Sequence, residues 1–126
     1  MHQNDQASVR ARRAAHATRL RADLERILAL LRTHPGVQRV ILFGSLSREQ
    51  SHSRSDLDWV VIQETSKPFM DRLHEIYRLL LPRVPTDLLV YTPDEWPTLS
   101  RTRRFGKRIE EEGRVLYDAV AARDDR

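Results

Sequence analysis

The sequence has no cysteine, only four glycines among 126 residues, and an aromatic content of 6%. The lack of cysteine excludes disulfide bonds and thiolate metal sites and is compatible with a reducing compartment, so we expect a cytoplasmic protein. No apolar run is long enough to cross a membrane, and the first residues lack the apolar stretch of a secretory signal. The length suits one domain with one hydrophobic core, which we assign to residues 1–126.

The chain also carries little net charge. The 22 basic residues are opposed by 18 acidic ones, which leaves a formal net charge of +4. The two signs are intermixed along most of the chain, as on an ordinary solvated surface. No segment supplies a separate clamp for a nucleic acid, so neither a nucleic acid nor a membrane is expected as a direct partner.

The chain does contain a clear helical pattern near its start. An apolar stripe with helical spacing predicts the first helix, and its members are Leu20, Leu24, Ile27, Leu28 and Leu31. His34-Pro35-Gly36 ends this helix. Residues 1–17 are predicted to form a helical extension in front of it.

Four strands are predicted, at 37–43, 56–63, 87–91 and, as a short edge strand, 114–117. A helix opens at Lys67-Pro68. Thr92-Pro93-Asp94-Glu95 is typical of a helix start, with Thr92 as N-cap and Glu95 completing a capping box, and a final helix is expected over 100–112. The tail 119–126 should be frayed. Because the loop between the first two strands is short, they should pair antiparallel. The expected fold class is α+β, with a small mixed, largely antiparallel sheet backed by helices on one side.

Two carboxylates, Asp56 and Asp58, open the second strand ten residues after Gly44-Ser45. Because side chains alternate along a strand, both should point to the same face. They repel each other unless a cation lies between them, and Mg²⁺ prefers carboxylate oxygens. The pattern predicts a metal–nucleotide site; the alternative is a turn or cap that binds nothing.

A third carboxylate, Asp87, begins the third predicted strand. If that strand neighbours the second, Asp87 lies beside Asp56 and Asp58. Three carboxylates can hold two divalent ions roughly 3.5–4 Å apart, a geometry used for in-line phosphoryl transfer. We therefore assign Asp56, Asp58 and Asp87 as the candidate catalytic and metal-binding residues, with two Mg²⁺ (or Mn²⁺) ions as cofactors.

Gly44, Ser45 and Arg48 are the candidate nucleotide-binding residues. Glycine lets the backbone approach a phosphate closely, and Ser45 adds a hydroxyl. The amides that follow could open a short helix whose N-terminus favours anions. Arg48 could offset phosphate charge, and a surface salt bridge is the alternative for it. Arg54 is a weaker candidate of the same kind.

This constellation resembles the nucleotidyltransferase superfamily that includes DNA polymerase beta. It is most similar to the minimal nucleotidyltransferases, small proteins found as antitoxins beside HEPN toxins. That group carries Gly-Ser, ten residues and Asp-x-Asp, matched here by Gly44-Ser45 and Asp56-Leu57-Asp58, and a later strand that starts with a carboxylate, matched by Asp87. The resemblance covers about residues 20–117.

The resemblance implies a polymerase beta-like fold and transfer of AMP from ATP to a hydroxyl group, with release of pyrophosphate. In the antitoxin group the acceptor is a tyrosine of the partner HEPN toxin, whose RNase activity is thereby silenced. On this basis Asp56 and Asp58 would bridge both metal ions, and Asp87 would complete the metal that activates the acceptor hydroxyl. Gly44 and Ser45 would bind the phosphates.

Two positions depart from the family pattern. Leu46 stands where members often have arginine, and Glu49 stands where they often have glycine. These departures concern phosphate binding and leave the carboxylates intact. Two alternative functions remain: a small-molecule nucleotidyltransferase of the aminoglycoside type, which usually carries an additional substrate-binding domain, and a non-catalytic antitoxin that neutralises a toxin by contact.

Overall fold

The computed structural model describes residues 2–44 and 56–124. The short helix expected after Ser45 lies outside these residues. Within them the elements follow in the order α1 (His2–Thr33), β1 (Val37–Phe43), β2 (Leu57–Gln63), α2 (Phe69–Leu80), β3 (Thr86–Tyr91), α3 (Glu95–Thr102), α4 (Arg104–Glu112), β4 (Arg114–Asp118) and α5 (Ala119–Asp124). None of the helices in the described stretches is long and apolar enough to span a membrane.

The strands form one mixed sheet in the order β3-β2-β1-β4. β1 pairs antiparallel with β2, as their short connection predicts, and antiparallel with β4. β2 and β3 are parallel, because α2 carries the chain back between them. The α+β class with a largely antiparallel mixed sheet is therefore confirmed, and β4 is an edge strand as predicted.

Helices cover both faces of this sheet, so the expectation that they lie on one side was wrong. The physical reason is visible in β1 and β2, whose centres are continuous apolar runs, Val40-Ile41-Leu42 and Trp59-Val60-Val61-Ile62. A strand buried on one face alternates apolar and polar residues, whereas a continuous run buries both faces. Alternate residues of each run accordingly belong to two different hydrophobic clusters.

The larger cluster lies between the sheet and helices α1 and α2. Its helical members are Ile27 and Leu31 from α1 and Ile76 and Leu80 from α2, all fully buried. The sheet contributes Val37, Val40, Leu42, Leu57, Trp59, Val61, Leu88 and Val90. Trp59 was interpreted as a packing residue, and its exposed fraction of 1% confirms this.

The smaller cluster lies on the opposite face, under α3 and α4. Its buried members are Ile41, Val60, Ile62, Trp96 and Ile109. Trp96, for which the sequence left a core role and a partner contact open, is 3% exposed. Its indole Nε1 donates a hydrogen bond to Glu110 Oε1 at 3.1 Å, so it is a core residue with a satisfied polar end.

The segment 100–112, predicted as one helix, contains the end of α3 and all of α4, which are separated at Arg103. The backbone of Arg103 is extended (φ −104°, ψ 136°). The capping box before α3 is present, since Glu95 N donates to Thr92 Oγ1 and Thr92 N donates to Glu95 Oε1. Gly106 permits the break, because a Cβ there would lie 2.2 Å from the carbonyl oxygen of Leu99. The two helices thus pack backbone to backbone.

The chain after β4 continues as α5 over Ala119–Asp124, within the segment 119–126 that was predicted to be frayed. Asp118 caps this helix: its Oδ1 accepts hydrogen bonds from Val120 N (3.0 Å) and Ala121 N (3.4 Å). An aspartate that accepts two free amides at a helix start is a standard N-cap.

A buried carboxylate joins α1 to the segment after α2. Asp23 Oδ2 accepts hydrogen bonds from Arg83 N (2.8 Å) and Val84 N (3.2 Å), while Oδ1 accepts from the guanidinium of Arg26. Burial alone would raise the pKa of Asp23, but these donors outweigh it and the pKa is lowered. Arg26 also donates to the carbonyl of Leu80. These contacts hold the segment between α2 and β3 against α1.

Candidate active site

Asp58 and Asp87 are direct neighbours across the parallel strands β2 and β3. They are Cα partners in the register, and Asp58 also pairs with Phe43 on β1. Neighbouring strands lie about 4.8 Å apart. The end of β1 and the beginnings of β2 and β3 therefore meet at one edge of the sheet, and that edge carries both carboxylates.

Gly44, at the end of β1, lies directly against Asp58. Its φ of +99° belongs to a region that side chains rarely adopt, and a Cβ there would lie 2.0 Å from Asp58 Oδ2. Glycine is required on both counts, because any side chain would strain the backbone and displace the carboxylate. This contact links the glycine of the Gly-Ser motif to the second aspartate of the Asp-x-Asp motif.

Asp58 and Asp87 line a cleft of about 210 Å³ on the face of the sheet that α3 and α4 cover. Asp58 is half-buried and Asp87 is exposed. The other described residues that line the cleft are apolar: Phe43, Trp59, Val60, Leu89, Phe105 and Ile109. Arg108 lies beside the cleft, with its guanidinium carbon 5.8 Å from the centre of the Phe43 ring. The site thus combines two acidic groups with apolar walls.

Asp56 lies at the same edge of the sheet, but its carboxylate contacts a residue of α1. It immediately precedes β2, and its backbone N–H donates to the carbonyl oxygen of Pro85 at 2.8 Å, beside the start of β3. Its carboxylate Oδ2 is 3.3 Å from His16 Nε2 on α1. The first aspartate of the motif is therefore held towards α1, whereas Asp58 faces the cleft.

The start of β3 is fixed by a tyrosine of α2. The Tyr77 hydroxyl donates a hydrogen bond to the carbonyl oxygen of Thr86, the residue before Asp87. Burial and, secondarily, the negative charge of Asp87 raise the pKa of Tyr77. The hydroxyl accordingly stays protonated as a donor and holds the backbone next to the candidate carboxylate.

Two ion pairs anchor the helices that wall the cleft. Arg72 on α2 donates to Glu95 at the start of α3 (2.7 Å), and this hydrogen bond lowers the pKa of Glu95. Arg39 on β1 donates to Glu110 on α4 (3.1 Å), with the same effect on the pKa of Glu110. Both helices are thereby tied to the rest of the chain by charge-assisted hydrogen bonds.

Divalent cations fit the type of donor at this edge. Carboxylate oxygens are the ligands that Mg²⁺ prefers, and Asp58 and Asp87 offer them from adjacent strands. Within the described part of the chain, however, no three acidic or histidine side chains converge as a ready ligand set. The edge therefore supplies the Asp58–Asp87 pair from adjacent strands, and Asp56, two residues before Asp58, contacts His16.

Ser45 and Arg48, the other candidate nucleotide-binding residues, lie outside the described residues, as do Leu46, Glu49 and Arg54. Of the predicted site residues that are described, the structure brings together Gly44, Asp58 and Asp87.

Sequence reasoning missed His16 and the apolar wall of the cleft. His16 stands four residues before Leu20, so it extends the core-facing stripe of α1 by one turn. That spacing was a usable signal. Phe105 and Ile109 had none, since their position depends on the break at Arg103 that turns α4 towards the carboxylates.

Comparisons with known proteins match most of this chain to one family. The family model described as "Polymerase beta, Nucleotidyltransferase" matches residues 25–120. The crystal structure of a candidate nucleotidyltransferase from Sulfolobus solfataricus, solved at 1.40 Å, is similar with 17% identity and a TM-score of 0.47. The similarity covers 76% of this chain and 86% of that one. Among curated proteins, no relative matches this sequence significantly.

Proposed function

Because the chain belongs to the polymerase beta nucleotidyltransferase family, we propose that it transfers AMP from ATP to a hydroxyl group, with a tyrosine of a partner HEPN toxin as acceptor. The single observation that carries the proposal is the pairing of Asp58 with Asp87 across β2 and β3. Gly44 packs its backbone against the same carboxylate. A nucleotide phosphate and its counter-ions could meet the protein at this point.

In the proposed reaction the acceptor oxygen attacks the α-phosphorus of ATP. The bond between that phosphorus and the oxygen bridging to the β-phosphate breaks, pyrophosphate leaves, and the hydroxyl proton passes to a carboxylate or to solvent. Mg²⁺, when bound, supplies charge neutralisation for the phosphates and acidifies the acceptor hydroxyl. Asp58 and Asp87 would hold it together with Asp56, and Gly44 would admit a phosphate close to the backbone, with Ser45 and Arg48 beside it.

The walls of the cleft support an aromatic acceptor. Phe43, Leu89 and Phe105 line the cleft next to Asp58 and Asp87. A phenol ring can pack against such apolar and aromatic side chains while its hydroxyl points to the polar end. A tyrosine therefore fits this cleft better than a polyhydroxylated small molecule, whose polar groups would lose their hydrogen bonds there.

The test is labelling of a co-expressed HEPN partner with ATP that carries radioactive phosphorus at the α-position, in the presence of Mg²⁺. We expect label on a tyrosine, and a loss of at least about a hundredfold in Asp58→Asn, because metal ligation contributes several kcal/mol to such a transfer. Asp94→Asn is the matched control, since Asp94 is exposed and its side chain caps no helix amide.

Other outcomes separate the alternatives. Label on an added aminoglycoside in place of the protein would favour the small-molecule enzyme. Full neutralisation of the toxin by Asp58→Asn at native expression would favour neutralisation by contact. Equal labelling by Asp58→Asn and Asp94→Asn would contradict the proposed site.

A further inference from the structure

The first half of α1 concentrates the charge of the molecule. We define the basic arm as residues 5–21 of α1, which hold five arginines and one aspartate. The arm therefore carries a formal +4, equal to the net charge of the whole chain, and the rest of the sequence is balanced. The family match begins only at residue 25. Residues 5–15 are exposed, so the core does not explain the arm.

The arm passes the carboxylate edge of the sheet. His16 Nε2 lies 3.3 Å from Asp56 Oδ2, two residues before Asp58 in the chain. His16 shares a helix face with Leu20, which packs on the larger core cluster. The face of α1 that covers the core at its C-terminal end therefore reaches the candidate active site at His16.

Arg13 lies on this same face, one turn further out. Residues three apart on a helix are surface neighbours, so Arg13 follows His16 outward along the face. Both line one open surface groove, together with Val9, Arg12, Ala17 and Leu20, all of them on α1.

Arg108, beside the Asp58–Asp87 cleft, and the proposed Arg48 supply part of the positive charge that the substrate needs at that cleft. The described lining of the cleft itself consists of two carboxylates and apolar residues. A triphosphate carries several negative charges, and metal ions offset only part of them. A guanidinium is the side chain best suited to the remainder, because it can donate two parallel hydrogen bonds to phosphate oxygens.

We infer that Arg13 binds the phosphates of the nucleotide substrate, so that the Arg13–His16 face of the basic arm forms one wall of the nucleotide site. The inference rests on the proposed function, since it takes the substrate to be a nucleoside triphosphate. No bond is made or broken at Arg13; its role is to bind and orient the phosphates beside the carboxylate edge.

The experiment measures nucleotide binding without turnover. Isothermal titration calorimetry is carried out on the full chain with Mg²⁺ and an ATP analogue whose α,β-bridging oxygen is replaced by methylene. We expect Arg13→Ala to raise Kd roughly tenfold, as for loss of a charged hydrogen bond, and Arg13→Lys to restore part of the affinity. Arg21→Ala is the matched control: it removes the same charge from the exposed surface of the arm, at about 140° around the helix from His16.

Each result decides the matter. A selective loss in Arg13→Ala supports the inference. Equal losses in Arg13→Ala and Arg21→Ala would show a long-range effect of charge and overturn direct contact, and unchanged binding in both would overturn it as well. These two results leave the proposed function standing, whereas failure of the unaltered protein to bind any nucleotide would overturn both. Thermal unfolding of each variant confirms that it is folded.

Discussion

The two faces of the sheet are built differently. On the face covered by α1 and α2, thirteen buried residues form a closed hydrophobic cluster. On the face covered by α3 and α4, five buried residues form the cluster, and the remaining space is a cleft that holds Asp58 and Asp87. The closed cluster on the first face holds the strands in place. Because the strands are rigid, the face with the cleft presents two carboxylates at a fixed spacing.

The position of the carboxylate pair follows from the direction of the strands. Antiparallel β1 brings its last residues, Phe43 and Gly44, to the edge where parallel β2 and β3 begin. Every candidate group of the described site comes from this edge. A sheet of purely antiparallel neighbours would place the beginnings of β2 and β3 at opposite ends and separate Asp58 from Asp87.

Truncation of one core isoleucine on each face tests this comparison with the largest expected effect. Ile76→Ala, in the closed cluster, should lower the free energy of unfolding by about 4 kcal/mol, because the cavity stays enclosed. Ile109→Ala, beside the open cleft, should cost about 2 kcal/mol, because solvent and neighbouring side chains can fill the space. Urea denaturation measures both values. Equal losses would mean that the cleft is as tightly enclosed as the core.

The contact between Gly44 and Asp58 offers a sharper test of the cleft side. Gly44→Ala should lower the free energy of unfolding by about 2 kcal/mol, since the alanine adopts an unfavourable φ and its Cβ collides with the carboxylate. In an Asp58→Ala background the collision is relieved, so the same substitution should cost less. A double-mutant cycle by urea denaturation measures the coupling. Strict additivity would contradict the close contact.

The smallest predicted effect is a pH dependence on the closed side. The lowered pKa of Asp23 means that its carboxylate stabilises the fold above the ordinary value of 3.8, and that this contribution disappears as pH falls through the folded-state pKa. Asp23→Asn should therefore lower the free energy of unfolding by about 1–2 kcal/mol at pH 7. The difference from the unaltered protein should shrink below about pH 3.8.

Asp94→Asn is again the control, because Asp94 is exposed and its side chain caps no helix amide. Denaturation curves at several pH values give the measurement. A destabilisation by Asp23→Asn that is the same at pH 7 and pH 3 would contradict the role of the charge.

The strands and their antiparallel start could be predicted from the sequence, and Asp87 was expected beside the Asp-x-Asp segment if β2 and β3 are neighbours, which they are. These features depend on local patterns: apolar runs, a short connection, and a carboxylate near the start of β2 and of β3. The continuous apolar runs of β1 and β2 also contained the signal for two covered faces, and Asp118 contained the signal for α5. A continuous apolar run predicts burial on both faces of a strand, and an aspartate before a helix predicts an N-cap.

Other features were beyond local patterns. The break at Arg103 depends on the approach of Gly106 to the Leu99 carbonyl, a contact between two helices. The contact of His16 with Asp56 joins residues forty positions apart. Non-local contacts of this kind decide where Asp56 points and what walls the cleft. The motif therefore indicated the candidate residues at the edge, while their arrangement required the tertiary structure.

The parallel pairing of β2 with β3 also ties the candidate site to the order in which the chain folds. Asp58 and Asp87 are separated by the whole α2 crossover, and closing such a connection is an entropically costly step. Until β3 has joined the sheet, Asp58 and Asp87 are not neighbours. A ligand that requires both carboxylates would therefore bind only the completed fold and raise its unfolding temperature with increasing concentration.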